Sequence, residues 1–373
     1  DRSRYQKEIA RFEKGIACLS VPVAARAFSL MNATFSLLGA DRPGRDRWRL
    51  FQIVFIVSAL PGVVGREYAE FADADEWEVT DVIWFPTGGG KTEAYLGLTV
   101  FALFFDRLRG RDRGVTALYR FPLRLLSLQQ FQRIVRSIAA ANQIRSDKGI
   151  GGEPFTVGHW IGSHGSPNEI KPEDAQRLEE DEIRIVDGVS ALTRKYRKIS
   201  ECPNPGCLDR DIHLHFDREK WSLQHVCRRC GVLPVYIVDH ELYRYLPSVV
   251  VGTVDKMAVF GFQRRFANLL GWTRGHCPAH GYAAEEDCEV PGCGRRRLAH
   301  QPIKDPVPAL HVQDELHLLK EDLGAFDSHY ETAVMEMQKV VPGSRRPWKT
   351  IAATATIEEY ERHVEHLYLH VGR

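Results

Sequence analysis

The chain lacks an excess of charge of either sign. Fifty basic side chains face 49 acidic ones, a net charge of +1, so no global pull toward nucleic acid or a membrane surface follows, and any such surface must be local. Long apolar runs are also missing. The longest, FQIVFIVSALPGVV (51–64), is too short to span a bilayer and contains Gln52 and Pro61; it reads as a buried helix. No signal peptide opens the chain, no segment repeats, and no low-complexity tract occurs, so a cytoplasmic globular protein of more than one domain is expected from 373 residues. Basic clusters do exist: Arg107, Arg109, Arg111 and Arg113; Arg194, Lys195, Arg197 and Lys198; Arg295, Arg296 and Arg297. Each reads as a solvated loop or helix face.

Scattered cysteine is absent too. Of eight cysteines, seven fall in two groups, which without secretion signals argues for metal rather than disulfides. Cys18 stands alone in a helical pattern as a small core residue. The first group joins Cys202 and Cys207 of CPNPGC to Cys227 and Cys230 of CRRC. Two short cysteine turns separated by a β-rich stretch can bring four thiolates around one tetrahedral Zn²⁺. The second offers Cys277 and His280 of CPAHG with Cys288 and Cys293 of CEVPGC; His276 or His300 could replace His280. Four protein ligands leave no open position for a catalytic water, so both sites read as structural, ordering segments that otherwise lack a core. Unligated buried cysteines are the plainer alternative.

Residues 1–46 carry apolar side chains at helical spacing and read as a helical N-terminal extension. From 47 to 373 the pattern alternates. VTDVIWF, VTALYRF, SVVVGTV, ALHVQDE and KTIAATA are strand-like, and each is followed by an amphipathic helical stretch, including one over DKMAVFGFQRRFANLL. Such alternation predicts an α/β fold, a parallel sheet with helices on its faces. Two segments, 162–245 and 272–302, interrupt it, and each carries one cysteine group.

After the first strand comes PTGGGKT (86–92). Phe85 occupies the first glycine position of the usual phosphate-binding loop, yet the working parts remain. Thr87 and the amides of Gly88, Gly89 and Gly90 would cradle phosphates, Lys91 would reach the β and γ oxygens, and Thr92 would ligate Mg²⁺. ALHVQDELHLL (309–319) runs an apolar strand into two acids. Asp314 suits Mg²⁺ and Glu315 suits the attacking water. Alone, such a pair is usually a solvated turn; beside a phosphate loop it implies hydrolysis.

These elements together resemble superfamily 2 helicases. PTGGGKT is similar to their motif I and DELH (314–317) to their D-E-x-H/D box; RLFQ (49–52) resembles the upstream adenine-reading element, RFPLRLLSLQQ motif Ia, VGTVDKM motif Ib and TAT (354–356) motif III. FPTGGGKTEAYLGL with DELH resembles more narrowly the large DrmA-type helicases of DISARM anti-phage defence systems. The resemblance implies a RecA-like motor domain using ATP, with Gln52 reading adenine and two zinc-binding insertions. It implies that His317 links the ATP site to motif III through Thr354 and Thr356, and that Arg124, Thr253 and Lys256 touch a nucleic-acid backbone. Capping by Thr253, an ion pair by Lys256, a satisfied core histidine and plain strand-forming threonines serve the same residues as well. The implied partner is nucleic acid, DNA ahead of RNA, with a defence-system protein as a further partner and no membrane. The chain ends directly after motif III, so the resemblance also implies the first half of a motor, nearly inactive without its facing lobe. An RNA-dependent ATPase, or a zinc-stabilised nucleotide-sensing module that binds proteins, are the rival readings.

Overall fold

The computed structural model describes residues 2–40, 47–73, 76–86, 88–162, 165–355 and 360–372. Three helices come first: α1 (Arg2–Cys18), α2 (Pro22–Gly39) and α3 (Leu50–Val64). Pro22 opens α2 at the position where a helix needs no N–H. Helix α3 is the apolar run read from sequence, and from Ile56 to Val64 it is wholly buried. Gly15 of α1 lies against the Val57 carbonyl so closely that a Cβ would sit 1.9 Å from the oxygen; only glycine permits that approach.

The alternating pattern follows. β1 (Val79–Trp84) leads to α4 (Lys91–Leu108), and β2 (Ala117–Phe121) to α5 (Arg124–Asp147). β3 (Val157–Trp160) leads into the first cysteine-bearing segment. That segment holds α6 (Pro172–Ile183), the short pair β4 (Ile185–Val186) and β5 (Val189–Ser190), α7 (Ala191–Tyr196), and an antiparallel sheet of β6 (Ile212–Asp217), β7 (Ser222–Cys227) and β8 (Gly231–Val232). The chain returns through β9 (Val235–Tyr236), which pairs with β3, and α8 (Asp239–Tyr245). After β10 (Val249–Thr253) and α9 (Phe266–Leu269), the second cysteine segment forms the hairpin β11 (Gly275–Cys277) and β12 (Gly281–Ala283). β13 (Leu310–Gln313), α10 (Glu321–Val340), β14 (Lys349–Thr354), α11 (Tyr360–Tyr368) and β15 (Val371–Gly372) complete the order.

Eight strands build the main sheet in the order β15-β1-β14-β13-β2-β10-β3-β9, and every described pairing in it is parallel. This is the parallel α/β sheet flanked by helices that the alternating sequence pattern implies. Strands such as β10 and β14 are buried along their whole length, as continuous apolar runs covered on both faces must be. β1 and β13 are separated by β14 alone, so the glycine loop and the DELH segment leave the same carboxyl edge, where open α/β sheets bind ligands.

Three expectations fail. The first cysteine segment does not lack a core, because alternate side chains of β6 (Ile212, Leu214, Phe216) are buried with Trp221 and Leu223. The amphipathic helix over 255–270 is instead a 3-10 helix, Val254–Gly261, followed by the four residues of α9; Gly261 interrupts the helical run. The arginines after α4 are not a solvated face. Arg107, Arg109 and Arg111 are buried, in a network that ties Arg109 and Arg111 to Asp106 (2.7 Å each) and Arg66 and Arg109 to Asp305 (2.8 and 2.9 Å). Burial alone would raise the Asp305 carboxyl's pKa; the Arg66, Arg109 and Arg111 guanidinia override it and hold it well below the usual range.

Candidate nucleotide site and metal clusters

Between β1 and α4 the backbone takes conformations that side chains resist. Gly88 and Gly90 have φ of 79° and 98°. A Cβ on Gly90 would also lie 2.7 Å from Gln52 Nε2, and one on Gly89 would lie 2.3 Å from the Phe85 ring. Phe85, standing where a glycine is usual, stacks on Phe51 with centroids 4.0 Å apart and planes 11° apart. The turn delivers Lys91 to the first position of α4, where free amides and the helix dipole favour an anion. Lys91 is buried, yet its Nζ has no hydrogen-bond partner. A buried ammonium left without a partner is costly, so the loop fits a bound phosphate. Thr87 lies outside the described residues.

Asp314 and Glu315 follow β13 as read from sequence. Asp314 Oδ1 accepts the Glu315 amide at 2.9 Å and Oδ2 accepts the Tyr95 hydroxyl at 2.7 Å. Burial pushes the Asp314 carboxyl's pKa up, a cost that a bound cation would reverse. Glu315 sits in the left-handed region, φ 51° and ψ 44°, a strained state for a residue with a Cβ. His317 Nδ1 lies 3.4 Å from Glu315 Oε2 and 3.4 Å from Thr354 Oγ1, bridging the acidic pair to β14. Thr356 lies outside the described residues.

Gln52 is engaged on both sides. Its Oε1 accepts from the Arg49 amide at 2.8 Å and its Nε2 donates to the Gly90 carbonyl at 2.9 Å. Arg49 Nη1 adds a bond to the Gly89 carbonyl at 2.5 Å. Lys91, Thr92, Asp314, Glu315 and Gln52 all line one cavity of about 650 Å³. So do residues not singled out from sequence: Phe35 of α2, Trp48, and Arg133 of α5. Trp48 donates its indole N–H to Asn32 at 2.7 Å and tilts against Phe35. Only an aromatic pair at the end of the helical extension, and a polar Gln130–Arg133 pair one turn apart on α5, hinted at them.

The residues implied to touch nucleic acid part company. Arg124 begins α5 with half its side chain exposed, 3.9 Å from Asp255. Thr253 ends β10, buried, its hydroxyl without a partner. Lys256 is buried, ion-paired with Asp239 and 3.4 Å from Asn168 Oδ1; its charge is satisfied inside the protein.

Both cysteine groups close. The side-chain ligand atoms of Cys202, Cys207, Cys227 and Cys230 lie within 4.8 Å of one another, as do those of Cys277, His280, Cys288 and Cys293. His280 is the histidine of the second cluster. His276 instead lies 3.3 Å from Arg113, and His300 is exposed. His280 Nε2 donates to the Glu219 carbonyl at 2.8 Å, which leaves Nδ1, 3.3 Å from Cys288 and 3.6 Å from Cys277, as the free ligand atom. Four thiolates, or three and an imidazole so oriented, could each hold a tetrahedral Zn²⁺. Among the described residues no single helix is long and apolar enough to cross a membrane.

No family model matches the chain. It is similar to the DISARM protein DrmA of Bacillus paralicheniformis, 34% identical over 368 residues that cover 92% of this chain and 32% of that protein. The resemblance to DrmA-type proteins thus runs along most of the chain, which spans about a third of the length of that curated relative. Solved structures of similar fold include the DUF1998 helicase MrfA (13% identical, 90% of this chain and 31% of that one, TM-score 0.42). The helicase Lhr of Mycobacterium smegmatis is another (13%, 84% and 26%, TM-score 0.37).

Proposed function

We propose that the chain is the ATP-binding first motor lobe of a superfamily 2 DNA helicase or translocase that serves anti-phage defence. One observation carries the reading: the buried, unpartnered ammonium of Lys91 opens a helix above a glycine turn, in one cavity with Asp314 and Glu315. The similarity to DrmA supports the setting.

In this reading Lys91 and the amides of Gly88, Gly89 and Gly90 hold the phosphates. Thr92 and Asp314 hold Mg²⁺, which when bound neutralises charge on the β and γ oxygens. Glu315 orients water and takes its proton. His317 carries the state of Glu315 to Thr354 and so to the strands beneath the nucleic acid. Gln52 braces the loop through Gly90, and its remaining hydrogen and lone pair face the base. The zinc clusters hold their segments folded and take no part in hydrolysis. A facing lobe supplies the arginines that such motors use, worth ~10³–10⁵ in rate, so residues 1–373 alone hydrolyse ATP barely above background.

The test is steady-state ATPase of the full-length protein with single-stranded DNA, duplex DNA and RNA, beside Glu315→Gln. DNA stimulates turnover most, and the variant binds ATP but turns over ~10²–10⁴-fold more slowly, the usual worth of a general base. Stimulation by RNA alone would convert the reading to an RNA-dependent ATPase. A Glu315→Gln enzyme of full activity would remove the base.

A further inference from the structure

A further cationic side chain reaches the cavity from α5, one helical turn beyond the stretch that resembles motif Ia. Arg133, on α5, donates from Nη1 to Thr92 Oγ1 at 3.2 Å and from Nη2 to Glu93 Oε1 at 2.5 Å. Its side chain remains 43% exposed, so it is not locked into the core. Thr92 lies 3.2 Å from the Tyr95 hydroxyl, which lies 2.7 Å from Asp314 Oδ2. The single Tyr95 proton goes to the carboxylate, the shorter and charged contact. Thr92 must then donate to Tyr95 and accept from Arg133. A directed chain results: Arg133 to Thr92 to Tyr95 to Asp314, joining the two groups that would hold Mg²⁺.

We infer that Arg133 is a phosphate-contacting residue of this lobe, stored on Thr92 until the nucleotide arrives; this rests on the nucleotide reading above. A Mg²⁺ held by Thr92 would stand beside the guanidinium on the same oxygen, and repulsion between the two cations favours release of the 3.2 Å bond from Arg133. Glu93, the next residue of α4, keeps it tethered beside the loop. From there the fork of N–H donors, which suits phosphate oxygens better than any other side chain, reaches a terminal phosphate. The contact forms with the third phosphate, so it separates ATP from ADP. A guanidinium that only braced Glu93 would not.

The experiment is calorimetric titration of the 373-residue chain, with Mg²⁺, by ATPγS and by ADP. In Arg133→Ala, ATPγS binding weakens about tenfold or more while ADP binding changes less than about twofold, as loss of one charge-assisted hydrogen bond to the terminal phosphate requires. Arg133→Lys recovers part of the loss. Glu93→Gln, which releases the tether, tightens ATPγS relative to ADP. Equal weakening of both nucleotides by Arg133→Ala, or no change in either, makes the residue a brace and overturns the inference. Wild-type chain that binds neither nucleotide overturns the nucleotide reading and this inference together.

Discussion

Around Lys91 the ligand-holding atoms are mostly backbone: amides of a glycine turn, fixed by Gln52 and Arg49 bonding to the Gly90 and Gly89 carbonyls. Around Cys202 and Cys277 they are side chains alone, carried on hairpins of two to six residues. The loop is anchored between β1 and α4, and α4 is buried from Ala94 to Arg107; its shape exists before any ligand does. The hairpin of β6 and β7 does pack on a core, with Ile212, Leu214, Phe216, Trp221 and Leu223 buried, so the contrast lies in the ligand atoms rather than in the packing beneath them. Four thiolates at the first cluster, or three and the His280 imidazole at the second, all within 4.8 Å, would repel one another as anions, and a cation held between them would add directly to the stability of those segments.

The hardest test of that contrast is to remove each ligand's holder. Zinc in small metal-held units is worth ~10–16 kcal/mol of folding energy, so Cys227→Ser unfolds the first segment while ATP binding persists. Lys91→Ala does the reverse: ATP binding falls and the melting temperature holds. Elemental analysis should find two zinc ions per chain. Less than one equivalent would sink both clusters. Cys227→Ser chain that keeps the protease resistance of residues 165–233 would end the contrast.

The same difference explains what was legible in the sequence. Strands buried on both faces announce themselves as apolar runs, and the glycine loop, the acidic pair and the cysteine turns are contiguous words; all lie where the spacing put them. What could not be read depends on distant partners. The arginines at 107–111 look solvated because Asp305, which pairs with Arg66 and Arg109, lies almost two hundred residues further along. Lys256 looks like a surface cation because nothing near it in the chain shows that Asp239 waits behind β10. Phe35 of α2, Trp48 of the link before α3 and Arg133 of α5 line the candidate nucleotide cavity through tertiary packing, which no local pattern encodes.

At the joint of α8 and β7, inside the first cysteine segment, Glu241 is fully buried, and one oxygen accepts the Leu223 amide at 2.6 Å while the other has no hydrogen-bond partner. Burial pushes its pKa from 4.5 up to about 7. The sign follows from proton counts. Between pH 4.5 and 7 the folded chain binds more protons at this site than the unfolded chain, so stability from this group falls as pH rises through that window and is level above it. The full shift corresponds to about 3 kcal/mol. Glu241→Gln, which cannot ionise, should flatten that slope and stabilise the joint above pH 7. Urea unfolding of both proteins from pH 4.5 to 8 measures it. A wild-type slope that survives in the variant would place the titration elsewhere.

The smallest effect separates two cations that the helicase resemblance treats alike. Arg124 is half exposed at the start of α5, and its only described ion pair is the weak 3.9 Å contact with Asp255. Lys256 is buried against Asp239. A phosphate contact releases a counterion, and losing one lowers the salt dependence of binding by ~0.7 per charge on a single strand. Arg124→Ala should therefore weaken DNA binding of the full-length protein a few-fold and reduce the slope of log affinity against log salt by about that much. Lys256→Met should leave the slope unchanged and lower the melting temperature instead, because it strands a buried carboxylate. Burial decides between them: a lysine whose charge is answered inside the protein has no counterion to release. If Lys256→Met lowered the slope while stability held, the ion pair with Asp239 must open on DNA, and the resemblance would outrank the ground-state geometry.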